Sequence, residues 1–153
     1  WQHLARFLVQ EGASESDVLV SLPATSPLRA FEDVEHALEL FRQGTFDLVL
    51  GVSKSTRSPR FNMVFREHSS EVSLVAAVGG ERIARRQDAP PVFDITTVIY
   101  ATTLGFVINS QGLFDGTVGS VLIPRERAID IDTEFDLEIA DYLLRKRLGL
   151  GNE

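Results

Sequence analysis

Asp130 and Asp132 stand one residue apart in RERAIDIDTEFD, residues 125–136. If that stretch is a strand, residues i and i+2 face the same side, so both carboxylates project together while Ile129 and Ile131 turn to the core. Two carboxylates on one face repel unless a cation lies between them. Mg²⁺ suits such a pair, because it takes one or two protein carboxylates and completes its shell with water and substrate phosphate. In open α/β sheets ligands gather at the carboxyl ends of the strands, where this pair is expected. A second reading needs no metal. Asp132 or Thr133 caps the helix that follows, and Asp130 is merely exposed.

PATSPLR, residues 23–29, is the second candidate. Thr25 and Ser26 offer hydroxyls in a tight loop, and Arg29 offers a fork for a carboxylate or phosphate. The same residues also read as a strand-to-helix turn with Ser26 as N-cap and Pro27 at the first helical position. The two readings are compatible. Arg82, Arg85 and Arg86 form one basic group and Arg125 with Arg127 another. Arginine grips planar anions, but clustered surface charge often does little. His3, His36 and His68 lack metal-ligand spacing, and no cysteine is present to help them. Neither a GxxxxGK phosphate loop nor a G-x-S-x-G elbow occurs.

The elements that must position these residues alternate between strand and helix. WQHLARFLVQEG (1–12) reads as a helix with Trp1, Leu4, Phe7 and Leu8 on one face. DVLVSL (17–22) and FDLVLGVS (46–53) read as buried strands. Between them AFEDVEHALELFRQG (30–44) is an amphipathic helix with a stripe of Phe31, Val34, Leu38 and Phe41, ended by Gly44. FNMVFRE (61–67) and VSLVAAV (72–78) suggest a hairpin, and ERIARRQDAPPVFD (81–94) an extended loop. TTVIYATT (96–103), VGSVLIP (118–124) and AIDI (128–131) read as strands, with a short helix or turn at 105–112. Thr133 followed by Asp136 matches a helix start, and Phe135, Ile139, Tyr142 and Leu143 mark one helical face. The alternation predicts an α/β fold with a mainly parallel sheet. Residues 61–94 break it and read as a β insertion within a single domain spanning 1–153.

Composition sets outer bounds. A chain of 153 residues, 44% hydrophobic and 24% charged, has the profile of a globular domain. Fifteen Lys and Arg against 22 Asp and Glu give a net charge of −7, which argues against wrapping nucleic acid. No apolar run approaches the ~20 residues that span a bilayer. The lack of cysteine is compatible with a reducing compartment, and a cytoplasmic location is expected.

Taken in order, LPATSPLR, RSPRFNMV, RRQDAPPVFD and IPRERAIDIDTEFDLEIADYLL resemble the acylneuraminate cytidylyltransferases, from about Val18 to Leu144. The resemblance implies a three-layer α/β/α, Rossmann-like fold of the nucleotide-diphospho-sugar transferase type, with a protruding β element for dimerisation at 61–94. It implies that CTP and a nonulosonic acid give a CMP-sugar and pyrophosphate, with Mg²⁺ held by Asp130 and Asp132 as catalytic residues. Thr25, Ser26, Arg29 and Thr96 would line the substrate site, and Arg86 would reach the sugar side in a homodimer. The chain departs from the family pattern in three places. Nothing like the family's opening ARGGSKG loop is present, so an N-terminal portion is expected to be missing. Pro23 stands where many members carry glutamine, and Thr96-Thr97 replace a common Asn-Gly. The last two changes leave the sugar open among sialic, legionaminic and related acids. A cytidylyltransferase for 3-deoxy-manno-octulosonate, or a non-catalytic dimerising relative, are the alternatives.

Overall fold

The computed structural model describes residues 1–66, 68, 70–76, 85 and 88–150. Its backbone divides into two compact units, Trp1–Ser53 with Ile95–Glu153 and Lys54–Asp94. The larger unit is built on β1 (Val18–Ser21), β2 (Leu48–Lys54), β5 (Phe93–Thr103) and β6 (Val118–Leu122). These form one sheet in the order β1-β5-β2-β6. The β2–β6 pair is parallel, running from Leu48 opposite Val118 to Val52 opposite Leu122. The β1–β5 pair is antiparallel, with Val18 opposite Thr103 and Ser21 opposite Tyr100. The sheet is therefore mixed where the alternation predicts a mainly parallel one. An antiparallel neighbour needs no crossover connection of the kind that joins parallel strands.

Side-chain alternation along β2 builds three layers. Val49 packs with Ile99, Ala101 and Ile123 against Ala37 and Phe41 of α2 (Phe31–Arg42). Leu48 and Leu50 turn the other way, to Tyr100 and to Phe106 of α3 (Leu104–Asn109). On that second side α1 (Gln2–Gln10) packs on α3 through Ala5, Leu104 and Val107. Helix α4 (Glu134–Arg147) closes the chain and buries Ala140.

The helices lie where periodicity puts them, and their expected buried stripes are met in part. In α2, Phe41 is buried and Val34 and Leu38 pack against the same core, but Phe31 is 72% exposed and Asp33 and Ala37 are buried beside the expected stripe. In α1, Trp1, Leu4 and Phe7 are exposed while Ala5 is fully buried. In α4, Phe135 and Tyr142 are exposed and Ala140 faces inward. Small residues let a helix approach its neighbours closely, so here alanines hold the contact line and larger apolar side chains flank it. Gly44 follows α2 with φ of +72°, the left-handed conformation that glycine adopts without strain.

AIDI is not a strand. A 3₁₀ turn at Arg125–Arg127 leads into irregular backbone at 128–132. The same-face argument for Asp130 and Asp132 therefore does not apply. An apolar alternation of four residues does not by itself make a strand, and this segment joins neither sheet.

The smaller unit contains a two-stranded antiparallel ribbon, β3 (Val64–Arg66) and β4 (Val72–Leu74), with Phe65 opposite Ser73. The hairpin expectation placed its strands over longer stretches, 61–67 and 72–78. Arg82 and Arg86 lie outside the described residues.

Candidate functional site

Three segments meet where β1 and β6 end and the inward part of β5 begins. The first, residues 22–30, follows β1 and is fastened by its own arginine. Arg29 Nε donates to the Val98 carbonyl at 2.6 Å and Nη2 donates to the Pro23 carbonyl at 2.6 Å. Two of the donors that the sequence reading offered to an anion are thus spent on backbone. Burial pulls the Arg29 guanidinium below its usual pKa, and the charge of Asp33 partly opposes that shift. Ser26 is 1% exposed and does not cap α2; the N-cap is Ala30. The Ser26 hydroxyl instead meets the Thr97 hydroxyl at 2.6 Å. Thr25 is exposed.

The second segment is the start of the buried part of β5. Thr96 is 5% exposed, and its hydroxyl has no hydrogen-bond partner among the described residues. It lies over Gly51, where an added Cβ would stand 2.7 Å from Thr96 Oγ1 and 3.0 Å from Ile123. It is Thr97, the neighbour that sequence reasoning did not single out, that touches the 22–30 loop. Its only sequence signal was its place in the Thr96-Thr97 pair.

The third segment, residues 123–133, follows β6. The Ile131 N–H donates to the Thr25 carbonyl at 2.9 Å, which joins the segment to the first loop. Asp130 is half-buried, with Oδ1 fully covered and unpartnered among the described residues. Asp132 is exposed. The capping role falls to Thr133, whose Oγ1 accepts from the Asp136 N–H at 3.3 Å. In return Asp136 Oδ2 accepts from the Thr133 N–H at 2.9 Å and the Thr133 hydroxyl at 2.7 Å. These hydrogen bonds, the Thr133 hydroxyl first, hold the Asp136 carboxyl below its ordinary pKa. Tyr100 is pushed above its ordinary value by burial and, secondarily, by the nearby charge of Asp130.

Arg127 does not face solvent as an anion hook. Its Nε and Nη2 grip both oxygens of Asp33 at 2.9 and 2.7 Å. Neither Asp33 nor this pairing was legible beforehand, because the partners are 94 residues apart. Among the described residues no group of three or more His, Cys, Asp or Glu side chains could hold a metal. An acidic pair is thus the largest donor set the segment offers, and Asp130 Oδ1 is its buried oxygen. Because that oxygen is covered, a cation bringing its own water and phosphate ligands would meet the exposed Asp132 carboxylate first.

No protein-family model matches the chain. Among curated proteins it is 27% identical over 131 residues to post-translational flagellin modification protein B of Campylobacter coli, covering 86% of this chain and 54% of that protein. It is 25% identical over 139 residues to an N-acylneuraminate cytidylyltransferase of Streptococcus agalactiae, covering 87% and 33%. It is 26% identical over 128 residues to CMP-N,N'-diacetyllegionaminic acid synthase of Campylobacter jejuni, covering 84% and 53%. The chain spans between a third and about half the length of these relatives. Two solved structures share the fold over most of this chain. One is the 4-diphosphocytidyl-2C-methyl-D-erythritol synthase of Anaerococcus prevotii, with a TM-score of 0.58 at 14% identity over 95% of this chain and 67% of that one. The other is CMP:2-keto-3-deoxy-manno-octonic acid synthetase complexed with CTP, with a TM-score of 0.60 at 13% identity over 94% and 67%. The fold is thus a Rossmann-like α/β fold shared with these solved synthases, and the resemblance to acylneuraminate cytidylyltransferases is matched by curated relatives of that name.

Proposed function

We propose that the protein carrying this chain joins CTP to a nonulosonic acid, making a CMP-sugar and releasing pyrophosphate. One observation carries the reading. The Ile131–Thr25 hydrogen bond brings the segment with Asp130 and Asp132 against the TSPLR loop, at the carboxyl ends of β1 and β6. Open α/β sheets bind nucleotides at that edge. The relatives' names support the substrate class, since two of them are named for CMP-sugar acid synthesis.

In this reading the anomeric hydroxyl of the sugar acid attacks the α-phosphorus of CTP, and pyrophosphate leaves. Asp130 and Asp132 would hold Mg²⁺, which when bound neutralises charge on the triphosphate. Thr25, exposed on its loop, offers a hydroxyl to the substrate. Ser26 and Arg29 keep that loop rigid through Thr97, Val98 and Pro23. Thr96 brings an unpartnered hydroxyl to the same edge of the sheet. Arg86 is assigned to the sugar side on the resemblance alone. Positioning and charge neutralisation would supply most of the rate gain. The working form is proposed to be a cytoplasmic homodimer.

The test is pyrophosphate release by the intact protein with CTP, Mg²⁺ and a panel of sugar acids. Release with sialic or legionaminic acid supports the proposal. Release only with 3-deoxy-manno-octulosonate moves the substrate to that acid. No release with any sugar acid leaves a non-catalytic relative.

A further inference from the structure

The segment that carries Asp130 and Asp132 belongs to no helix and no sheet, so something else must fix its path. Ala128 packs against the core and the Asp132 N–H donates to Asp136 Oδ2 at 3.3 Å, and two further attachments tie it to the rest of the site. One is the Ile131–Thr25 backbone bond. The other is side-chain chemistry immediately upstream. Asp33 is 2% exposed, and each of its oxygens is engaged. Oδ2 accepts from the Ala30 N–H at 2.9 Å and from Arg127 Nε at 2.9 Å, and Oδ1 accepts from Arg127 Nη2 at 2.7 Å. A planar fork bound at two points fixes orientation as well as distance. Arg127 closes the 3₁₀ turn, three residues before Asp130.

The frame to which Arg127 is bound is itself held firmly. Arg29 ties residues 22–30 to β5, and Arg147 Nη1 of α4 donates to the Leu28 carbonyl at 3.2 Å. A buried ion pair adds little to net stability compared with apolar residues of similar size, because desolvation offsets the attraction. Its geometry, however, constrains whatever chain leaves it.

We propose that the Asp33–Arg127 pair is a positioning device for the Asp130–Asp132 segment, setting where both carboxylates project and hence how well they take a divalent cation. The cation part rests on the function proposed above; the effect on the segment does not. Removing the fork loosens the segment at its upstream end, leaving the Ile131–Thr25 bond, the packing of Ala128 and the Asp132–Asp136 contact.

The experiment compares the intact protein with Arg127→Met and Arg127→Lys, and with Arg145→Met, which removes the exposed Arg145–Asp141 pair. Amide hydrogen exchange is followed over 128–133 and over β5, and Mn²⁺ affinity is measured by electron paramagnetic resonance. Arg127→Met is expected to speed exchange across 128–133 about tenfold while β5 keeps its protection. Its Mn²⁺ dissociation constant should rise about tenfold, as when an outer-shell partner of a metal ligand is lost. Arg127→Lys keeps the charge but not the fork and should show most of both effects, whereas Arg145→Met shows neither. Exchange over 128–133 within about twofold of wild type in folded Arg127→Met overturns the proposal. If Arg127→Met fails to fold, Arg127→Lys decides in the same way. A rise spread evenly over β5 and 128–133 makes the pair a support of the whole fold and also overturns it. Absence of Mn²⁺ binding by the wild type counts against the metal reading, while the exchange data still decide the positioning role.

Discussion

Replacing Asp132 by asparagine separates two roles that the sequence leaves entangled. Thr133 caps α4 and Asp132 is exposed, so the substitution should leave the melting temperature where it is. If the carboxylate holds a cation opposite the triphosphate, turnover should fall on the order of 100-fold, the scale on which a single electrostatic partner of the reaction acts. Wild-type pyrophosphate release by Asp132→Asn with Mg²⁺ would remove the metal assignment. Thr133→Ala should do the reverse, costing about 1 kcal/mol in denaturant unfolding with little direct effect on chemistry. A third residue tests the packing beneath the site. At Gly51 a methyl group would meet Thr96 Oγ1 at 2.7 Å and Ile123 at 3.0 Å. Gly51→Ala should therefore cost about 1–3 kcal/mol, the usual scale of overpacking, measured by chemical denaturation. Unchanged stability would mean that Thr96 moves aside freely.

Helix α4 begins at a site that titrates. Its first turn is closed by the Asp136 carboxylate, whose pKa is depressed by the Thr133 hydroxyl and backbone donors. A depressed folded-state value means that the group stabilises the folded protein above the ordinary carboxylate pKa. That contribution is lost as pH falls through the depressed value. Wild type should thus melt above Asp136→Asn at neutral pH, with the gap closing in acid below the ordinary value of 3.8. A gap independent of pH would place the effect elsewhere. The start of this helix was legible because a cap depends on residues three apart in sequence. The segment just before it was not. Residues 128–131 alternate like a strand yet join neither sheet, because pairing is settled by distant chain. The buried faces of the helices were only partly legible, for a physical reason. Large apolar residues mark a stripe, but the closest contacts fall to Ala5, Ala37 and Ala140, and pattern alone does not say which side of the stripe meets the sheet.

At the scale of the whole molecule, the ribbon in the Lys54–Asp94 unit leaves Val64, Phe65 and Val72 exposed. A two-stranded ribbon is marginal alone, and an apolar surface of this kind is often an interaction site. If it joins two copies, the protein should sediment as a dimer and Phe65→Glu with Val72→Glu as a monomer. A monomeric wild type would remove that role. The α/β class and the capped start of α4 were determined by the sequence itself, because each depends on residues within a few positions of one another; the acidic pair, expected on a strand, lies instead on irregular backbone after β6. What only the tertiary structure decided is how the charged groups are spent. Arg29 is committed to the Val98 carbonyl 69 residues away, Arg127 to Asp33 at 94, and Arg147 to Leu28 at 119. Local periodicity carries no information about partners so remote; only the packed sheet and its loops bring each guanidinium to its acceptors.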